Sequence, residues 1–275
     1  MLIKFNAMRG KKISILLFIF VGIALNCEIF AQRTAYILDT SKPKSQKEAI
    51  LILPGFGSKV FGTKKIRKYF KLQGYDLYVP KYISRKSVDK SVDKLDLYIQ
   101  DKGLLEYQKL HVFAYIFGSW TINEWINKKG RNNIQTVVYD RSPLQERVPA
   151  ALVQESPVLA RVLFGKVMFD FCKTPYRPLT DTTIFKGICI ETFATKLINK
   201  HKKVAIDTKR INWGVDSLNQ PNNDYWYLPL NHDEMYWDLN IFGSEVLHFI
   251  KFHTFSEKAK SNRIAEDPFI KFIKK

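Results

Sequence analysis

Short apolar runs alternate along the chain with stretches whose apolar residues recur at helical spacing. The run at residues 49–53, AILIL, is almost continuously aliphatic, which is typical of a strand covered on both faces. Alternating apolar runs bounded by turn residues predict further strands. The predicted strands are residues 35–39, 49–53, 75–80, 109–115, 134–140, 187–194 and 225–230.

Helical spacing separates these runs. Amphipathic or apolar helices are predicted at residues 63–72, 87–105, 119–130 and 236–252. Strands that alternate with helices predict an α/β protein with a mostly parallel central sheet flanked by helices. Residues 141–183 lack strand alternation and contain five prolines, so they are predicted to form a cap inserted over one edge of the sheet, with short helices within 157–171.

The first 31 residues have the composition of a secretory signal. Four basic residues lie among the first twelve, an apolar run covers 13–25, and Ala31 is a small residue at a plausible cleavage point. The run is shorter than the ~20 residues of a spanning helix. We therefore expect export to the periplasm or outside the cell, with an uncleaved membrane anchor as the alternative. Lipid attachment at Cys27 is disfavoured by Asn26 before it.

The net charge of +18 bears on the binding partners of the protein and not on its predicted fold. The predicted signal carries four basic residues and one acidic residue, so residues 32–275 keep +15. Such a charge favours an anionic envelope surface, but the basic residues are dispersed and form no nucleic-acid-binding module. Cys172 and Cys189 could form one disulfide, and their spacing predicts no metal site.

Residues 114–120, AYIFGSW, follow an apolar strand and predict a sharp strand-to-helix turn. A strained turn of this kind needs small residues two positions before and after its centre. Ala114 and Gly118 meet this requirement when Ile116 is the centre, whereas centring on Ser119 places Phe117 and Thr121 there.

The order of these elements resembles the α/β-hydrolase family, in particular its lipase- and esterase-like members, over residues 35–252. The resemblance uses the glycine loop PGFGS at 54–58, the turn at 114–120 and NHDEM at 231–235. It implies a hydrolase-like domain over 32–275, a nucleophile position at Ile116 and a general base at His232. It further implies oxyanion-binding N–H groups at Phe56 and Phe117.

The position where the family usually has the acid that orients the histidine carries no carboxylate in this chain. The loop after residues 187–194 is its usual place in the family, and Leu197 lies there. Some members place the acid one strand earlier, where this chain has Asp140. Asp207 and Asp216 are weaker candidates.

Isoleucine cannot form an acyl intermediate, so the sequence favours a degenerate hydrolase or a ligand-binding relative without cofactor. Its partner would be a small apolar or acyl-bearing ligand, since aromatic residues flank the site. One alternative is an active hydrolase of ester or acyl substrates that uses His232-activated water or Ser119. Another is a basic protein that binds envelope polyanions.

Overall fold

The computed structural model describes residues 35–56, 60–200 and 223–260. Its sheet has seven strands in the order β1-β3-β2-β4-β5-β6-β7. Only β1 runs antiparallel to its neighbour, and the other pairs are parallel. The strands are β1 Ala35–Tyr36, β2 Glu48–Leu53, β3 Asp76–Tyr78, β4 Lys109–Ala114, β5 Ile134–Arg141, β6 Phe185–Glu191 and β7 Asn223–Leu228.

Helices connect most of the strands. They are α1 Val60–Phe70, α2 Val88–Asp101, α3 Ile116–Lys129, α4 Val148–Glu155, α5 Pro157–Phe164, α6 Val167–Phe171, α7 Lys196–Lys200, α8 Leu239–Phe252 and α9 Glu257–Lys260. Short 3-10 helices lie at Lys44–Gln46, Leu104–Glu106, Gln145–Arg147 and Glu234–Tyr236. In the described residues, no helix is long and apolar enough to cross a membrane.

The sheet is buried on both faces, as its aliphatic strands predict. Leu51 and Leu53 of β2 pack with α2 and α3 on one face, whereas Ile50 and Ile52 pack with α1 and α8 on the other. This alternation follows from the two-residue period of a strand. The carboxyl ends of the parallel strands therefore meet at one edge, between two hydrophobic cores.

The segment between β5 and β6 is helical and tied to the sheet at its start. Arg141 at the end of β5 donates two hydrogen bonds to Glu146, and its guanidinium lies 4.0 Å from the centre of the Tyr176 ring. Gly165, with φ of +87°, divides the helical residues 157–171 into α5 and α6. The sequence predicted short helices there but did not locate the break between them.

Several details differ from the sequence predictions. The first strand spans two residues instead of five, and α3 begins three residues earlier than predicted, at Ile116. Cys172 and Cys189 form no disulfide, and Cys189 is buried in β6. The predicted signal at 1–31 lies outside the described residues.

Candidate functional site

The turn between β4 and α3 centres on Ile116. β4 ends at Ala114, Tyr115 is the N-cap in extended conformation, and α3 begins at Ile116. Two residues later, a Cβ atom on Gly118 would lie 2.6 Å from the carbonyl oxygen of Leu53. The close approach of α3 to β2 therefore requires glycine at 118.

Ile116 is only 6% exposed and packs in the hydrophobic core on the α3 face of the sheet. Its side chain contains only saturated carbon, so it can neither donate a proton nor attack a carbonyl. Hydrocarbon occupies the first helical position after β4.

The amino end of α3 presents unpaired donors. Its first main-chain hydrogen bond runs from the Ser119 N–H to the Tyr115 carbonyl oxygen, at 2.9 Å, and no side chain caps the helix. Within the described ranges, the N–H groups of Ile116, Phe117 and Gly118 have no hydrogen-bond partner. Unpaired N–H groups and the helix dipole together favour negative charge at this end.

His232 lies in the loop after β7 and contacts two buried carboxyl groups through Nδ1. Glu191 Oε1, at the end of β6, lies 2.8 Å from Nδ1, and Asp140 Oδ2, near the end of β5, lies 3.3 Å from it. Both carboxyl side chains are fully buried. Both oxygens of Asp140, and Oε2 of Glu191, have no hydrogen-bond partner among the described residues.

The cluster of Asp140, Glu191 and His232 affects the pKa of the imidazole. Burial alone would lower the pKa of His232, but the charge of Glu191, its hydrogen bond to Nδ1 and the nearby carboxyl group of Asp140 raise it to about 10. Burial and the neighbouring Asp140 charge raise the pKa of Glu191 well above its usual value. The two carboxyl groups therefore favour the protonated form of His232.

Asp140, Glu191 and His232 also form a group whose ligand atoms, all within 4.8 Å of one another, could hold a metal ion. Two ligands of a tetrahedral zinc ion, each ~2.0 Å from it, lie ~3.3 Å apart. The separation of 2.8 Å between Nδ1 and Glu191 Oε1 is shorter and matches a hydrogen bond. We therefore interpret the cluster as proton-linked.

The opposite side of the imidazole faces the loop after β2. A Cβ atom on Gly55 would lie 4.0 Å from His232 Nε2 and 3.6 Å from the Cβ of Tyr115. The Gly55 N–H donates to the Tyr236 hydroxyl at 3.0 Å, and the Tyr236 ring stacks on Tyr115 with centroids 4.3 Å apart. These contacts fix the position of the loop that precedes Phe56. In the described part of the chain, Nε2 itself has no hydrogen-bond partner.

Aromatic rings from the helical insertion cover this region. Phe56 packs on Phe117 with ring centroids 4.3 Å apart, and on Phe164 and Phe171 at 5.8 and 5.9 Å. Trp120 contacts Phe171 at 4.9 Å. Phe56 and Phe164 are partly exposed, so this aromatic cluster reaches the surface of the protein.

Two other candidates are less well placed. The Ser119 hydroxyl is fully buried one turn into α3, 3.4 Å from the carbonyl oxygens of Ala114 and Tyr115. The turn is not shifted, and this geometry argues against Ser119 as a nucleophile. Leu197 lies in α7 and is 44% exposed. Asp207 and Asp216 lie outside the described residues.

Glu191 was not among the site residues predicted from the sequence. It stands inside the run at 187–194, which was expected to continue as a strand, and the acid was sought in the loop beyond. β6 ends at Glu191, whose partner across the ladder is Leu228, the last residue of β7. The sequence feature that could have indicated Glu191 is a carboxylate near the end of an otherwise apolar strand, the same feature that indicated Asp140.

Comparisons with known proteins agree with this architecture. The lipase BlEst2 of Bacillus licheniformis, in its mature form, superposes with a TM-score of 0.53 at 12% identity, over 80% of this chain and 97% of the lipase. MGS-MChE2, an alpha/beta hydrolase enzyme from a sediment metagenome of the Mar Chica lagoon, Morocco, gives 0.51 at 18% identity, over 76% and 93%. An alpha/beta hydrolase fold protein from Chitinophaga pinensis gives 0.50 at 9% identity, over 76% and 91%.

By sequence, no protein-family model and no curated protein matches the chain. The likeness is thus one of three-dimensional structure. The seven-stranded, mostly parallel sheet matches these structures, and this chain has the α/β-hydrolase fold.

Proposed function

We propose that this chain is an exported α/β-hydrolase-fold protein that binds a small apolar or acyl-bearing ligand at the start of α3 and does not hydrolyse esters through an acyl-enzyme. The observation that carries the proposal is Ile116 at the first helical position after β4. An acyl-enzyme needs an oxygen or sulfur nucleophile at that point, and Ile116 has neither.

The state of His232 supports the same conclusion. A general base must accept a proton, and a histidine whose pKa is about 10 is almost entirely protonated at neutral pH. Activation of water by His232 is therefore disfavoured under ordinary conditions. The donors around it, in contrast, are suited to hold an oxygen atom of a bound ligand.

The ligand class follows from the surroundings. Phe56, Phe164, Phe171 and Trp120 offer aromatic surface beside polar main-chain donors, a combination that suits an apolar chain ending in an oxygen-bearing group.

Ester hydrolysis tests the proposal. At about pH 9, where more of the imidazole is neutral, the unmodified chain should not turn over 4-nitrophenyl acetate, butyrate or octanoate. Ile116→Ser should gain turnover there because a hydroxyl then stands beside the donors of α3. Ile116→Ala is the matched control, since both substitutions remove buried hydrocarbon and cost about 2–5 kcal/mol. Turnover by the unmodified chain would overturn the proposal, as would an equal rate for the serine and alanine variants.

Export rests on residues 1–31 alone. Amino-terminal sequencing of protein recovered outside the cytoplasm should find a chain that begins just after Ala31. A chain that stays in the cytoplasm with its first residues intact would contradict this part of the proposal.

A further inference from the structure

The outward face of α5 is an exposed hydrophobic surface. Val158, Leu159, Val162 and Leu163 lie on this face and are between 49% and 75% exposed. We propose that it docks the protein on a membrane surface that contains anionic lipids. The inference goes beyond the proposed function, which concerns a ligand at the start of α3.

α5 is apolar on almost every side. Its sequence is PVLARVLF, in which Arg161 is the only polar residue. Ala160 is buried and Phe164 packs on Phe56, so these two residues face the protein, and the helical repeat places Val158 and Val162 on the opposite side. A surface helix normally turns polar residues toward water, and a helix that is apolar all round is normally covered. Contiguous exposed apolar side chains of this kind indicate contact with another surface.

Basic residues surround this face. Two segments of the chain carry basic residues and no acidic residue, residues 81–88 and residues 156–169. Their basic residues are all exposed, and they are Lys81, Arg85, Lys86, Arg161 and Lys166. The partner of this surface should therefore be anionic as well as apolar.

Hydrogen bonds hold the two segments together. The Arg85 guanidinium donates to the carbonyl oxygens of Val162 at 2.7 Å and Leu163 at 2.9 Å, and the Val167 N–H donates to the Arg85 carbonyl oxygen at 3.2 Å. The guanidinium thus binds carbonyl groups at the carboxyl end of α5, where a helix favours positive charge. The basic residues of 81–88 and the apolar face of α5 consequently form one surface.

An anionic lipid membrane fits both parts of this surface. Apolar side chains of an interfacial helix enter the boundary between headgroups and acyl chains to a depth of about 5–10 Å, while lysine and arginine contact the anionic headgroups. A second copy of the chain fits less well, since a two-fold interface through this face would bring the basic residues of both copies together.

Vesicle binding tests the inference. The protein used begins at residue 32, so the apolar run at 13–25 takes no part. In about 0.1 M salt, cosedimentation should show at least about tenfold tighter binding to vesicles of one part phosphatidylglycerol and two parts phosphatidylcholine than to phosphatidylcholine alone. Raising the salt to about 0.5 M should reduce this preference, because the charges are exposed.

Paired serine substitutions test the apolar part. Val158→Ser with Val162→Ser should weaken binding to the mixed vesicles at least about tenfold, since less hydrocarbon enters the lipid. Leu72→Ser with Leu97→Ser is the matched control and should keep the affinity. These leucines, after α1 and within α2, are 72% and 65% exposed, compared with 75% and 66% for the two valines.

Paired glutamine substitutions test the charged part. Lys86→Gln with Lys166→Gln should weaken binding about 25-fold, or about fivefold for each charge removed. Lys64→Gln with Lys68→Gln removes the same charge from α1, which packs on the opposite face of the sheet from α6, and should change the affinity less than about twofold.

Binding to neither vesicle, equal binding to both, or equal losses in the target and control variants would overturn the inference. A dimer that Val158→Ser with Val162→Ser dissociates in analytical ultracentrifugation, without vesicle binding, would assign the face to a second copy of the chain. Binding of polyglutamate without vesicle binding would assign it to an acidic protein. The substituted side chains are exposed, so circular dichroism should show unchanged melting. If a variant does not fold, the lipid preference of the unmodified chain and its salt dependence decide the question.

Discussion

The pH dependence of ester hydrolysis by the Ile116→Ser variant would test the charge state of His232 directly. In Ile116→Ser, the new hydroxyl needs a neutral imidazole to accept its proton. With a pKa of about 10, only about one molecule in a thousand has that form at pH 7. Compared with the usual value of 6.5, this corresponds to ~5 kcal/mol in favour of the imidazolium.

The rate of Ile116→Ser should therefore rise about tenfold for each pH unit from about 7 to 9 and level off near pH 10. Adding Glu191→Gln removes one of the two carboxyl groups, lowers the pKa of His232 and should raise the rate at pH 7 by at least about tenfold. Asp140 remains to hold Nδ1, so the imidazole keeps its orientation.

Initial rates with 4-nitrophenyl butyrate measure both effects. Ile116→Ala, assayed at each pH, gives the background from spontaneous hydrolysis, and His232→Gln in the serine variant should abolish the excess rate. A profile that levels off by about pH 8, or no gain from Glu191→Gln, would refute the reasoning that two carboxyl groups hold the histidine protonated.

Two further predictions concern stability. Gly118→Ala should lower the free energy of unfolding by about 3 kcal/mol, and the melting temperature by about 6–12 °C, because its Cβ would lie 2.6 Å from the Leu53 carbonyl oxygen. Gly55→Ala is the control and should cost less than about 1 kcal/mol, since its nearest contact is 3.3 Å, and equal losses in calorimetry would contradict the packing argument. The raised pKa of His232 contributes stability that is complete below about pH 6.5 and is lost as pH rises through about 10. The raised pKa of Glu191 acts in the same direction, so the melting temperature should fall from pH 7 to 10, and by less in His232→Gln.

The strands were the most predictable part of the fold. The aliphatic runs that become β2, β4 and β5 are buried on both faces, so hydrophobic burial and strand propensity agree along them. The first strand was predicted too long because it pairs only with β3, at the edge, where two residues form the ladder. Hydrophobicity alone does not determine where such an edge strand ends.

The site was predicted in part. Small residues at 114 and 118 predicted the position of the turn. At Gly118 the structure gives the reason, because α3 approaches β2 too closely there for a larger side chain. The sequence did not predict a site role for Glu191, because the residue at which a strand ends depends on the neighbouring strands. β6 ends at Glu191 because β7, with which it pairs, ends opposite it at Leu228. The contact between both carboxyl groups and one imidazole is a tertiary property, so no spacing along the chain encodes it.

The donors at the start of α3 have a consequence for how such a protein changes over time. They are peptide groups, so substitutions at 116–118 that preserve the helix leave them in position. An exchange between isoleucine and a hydroxyl-bearing residue at 116 is thus a change of one codon that leaves these donors unaffected. A search of genomes that requires serine or cysteine at this turn would therefore pass over chains, such as this one, that have the main-chain donors without that side chain.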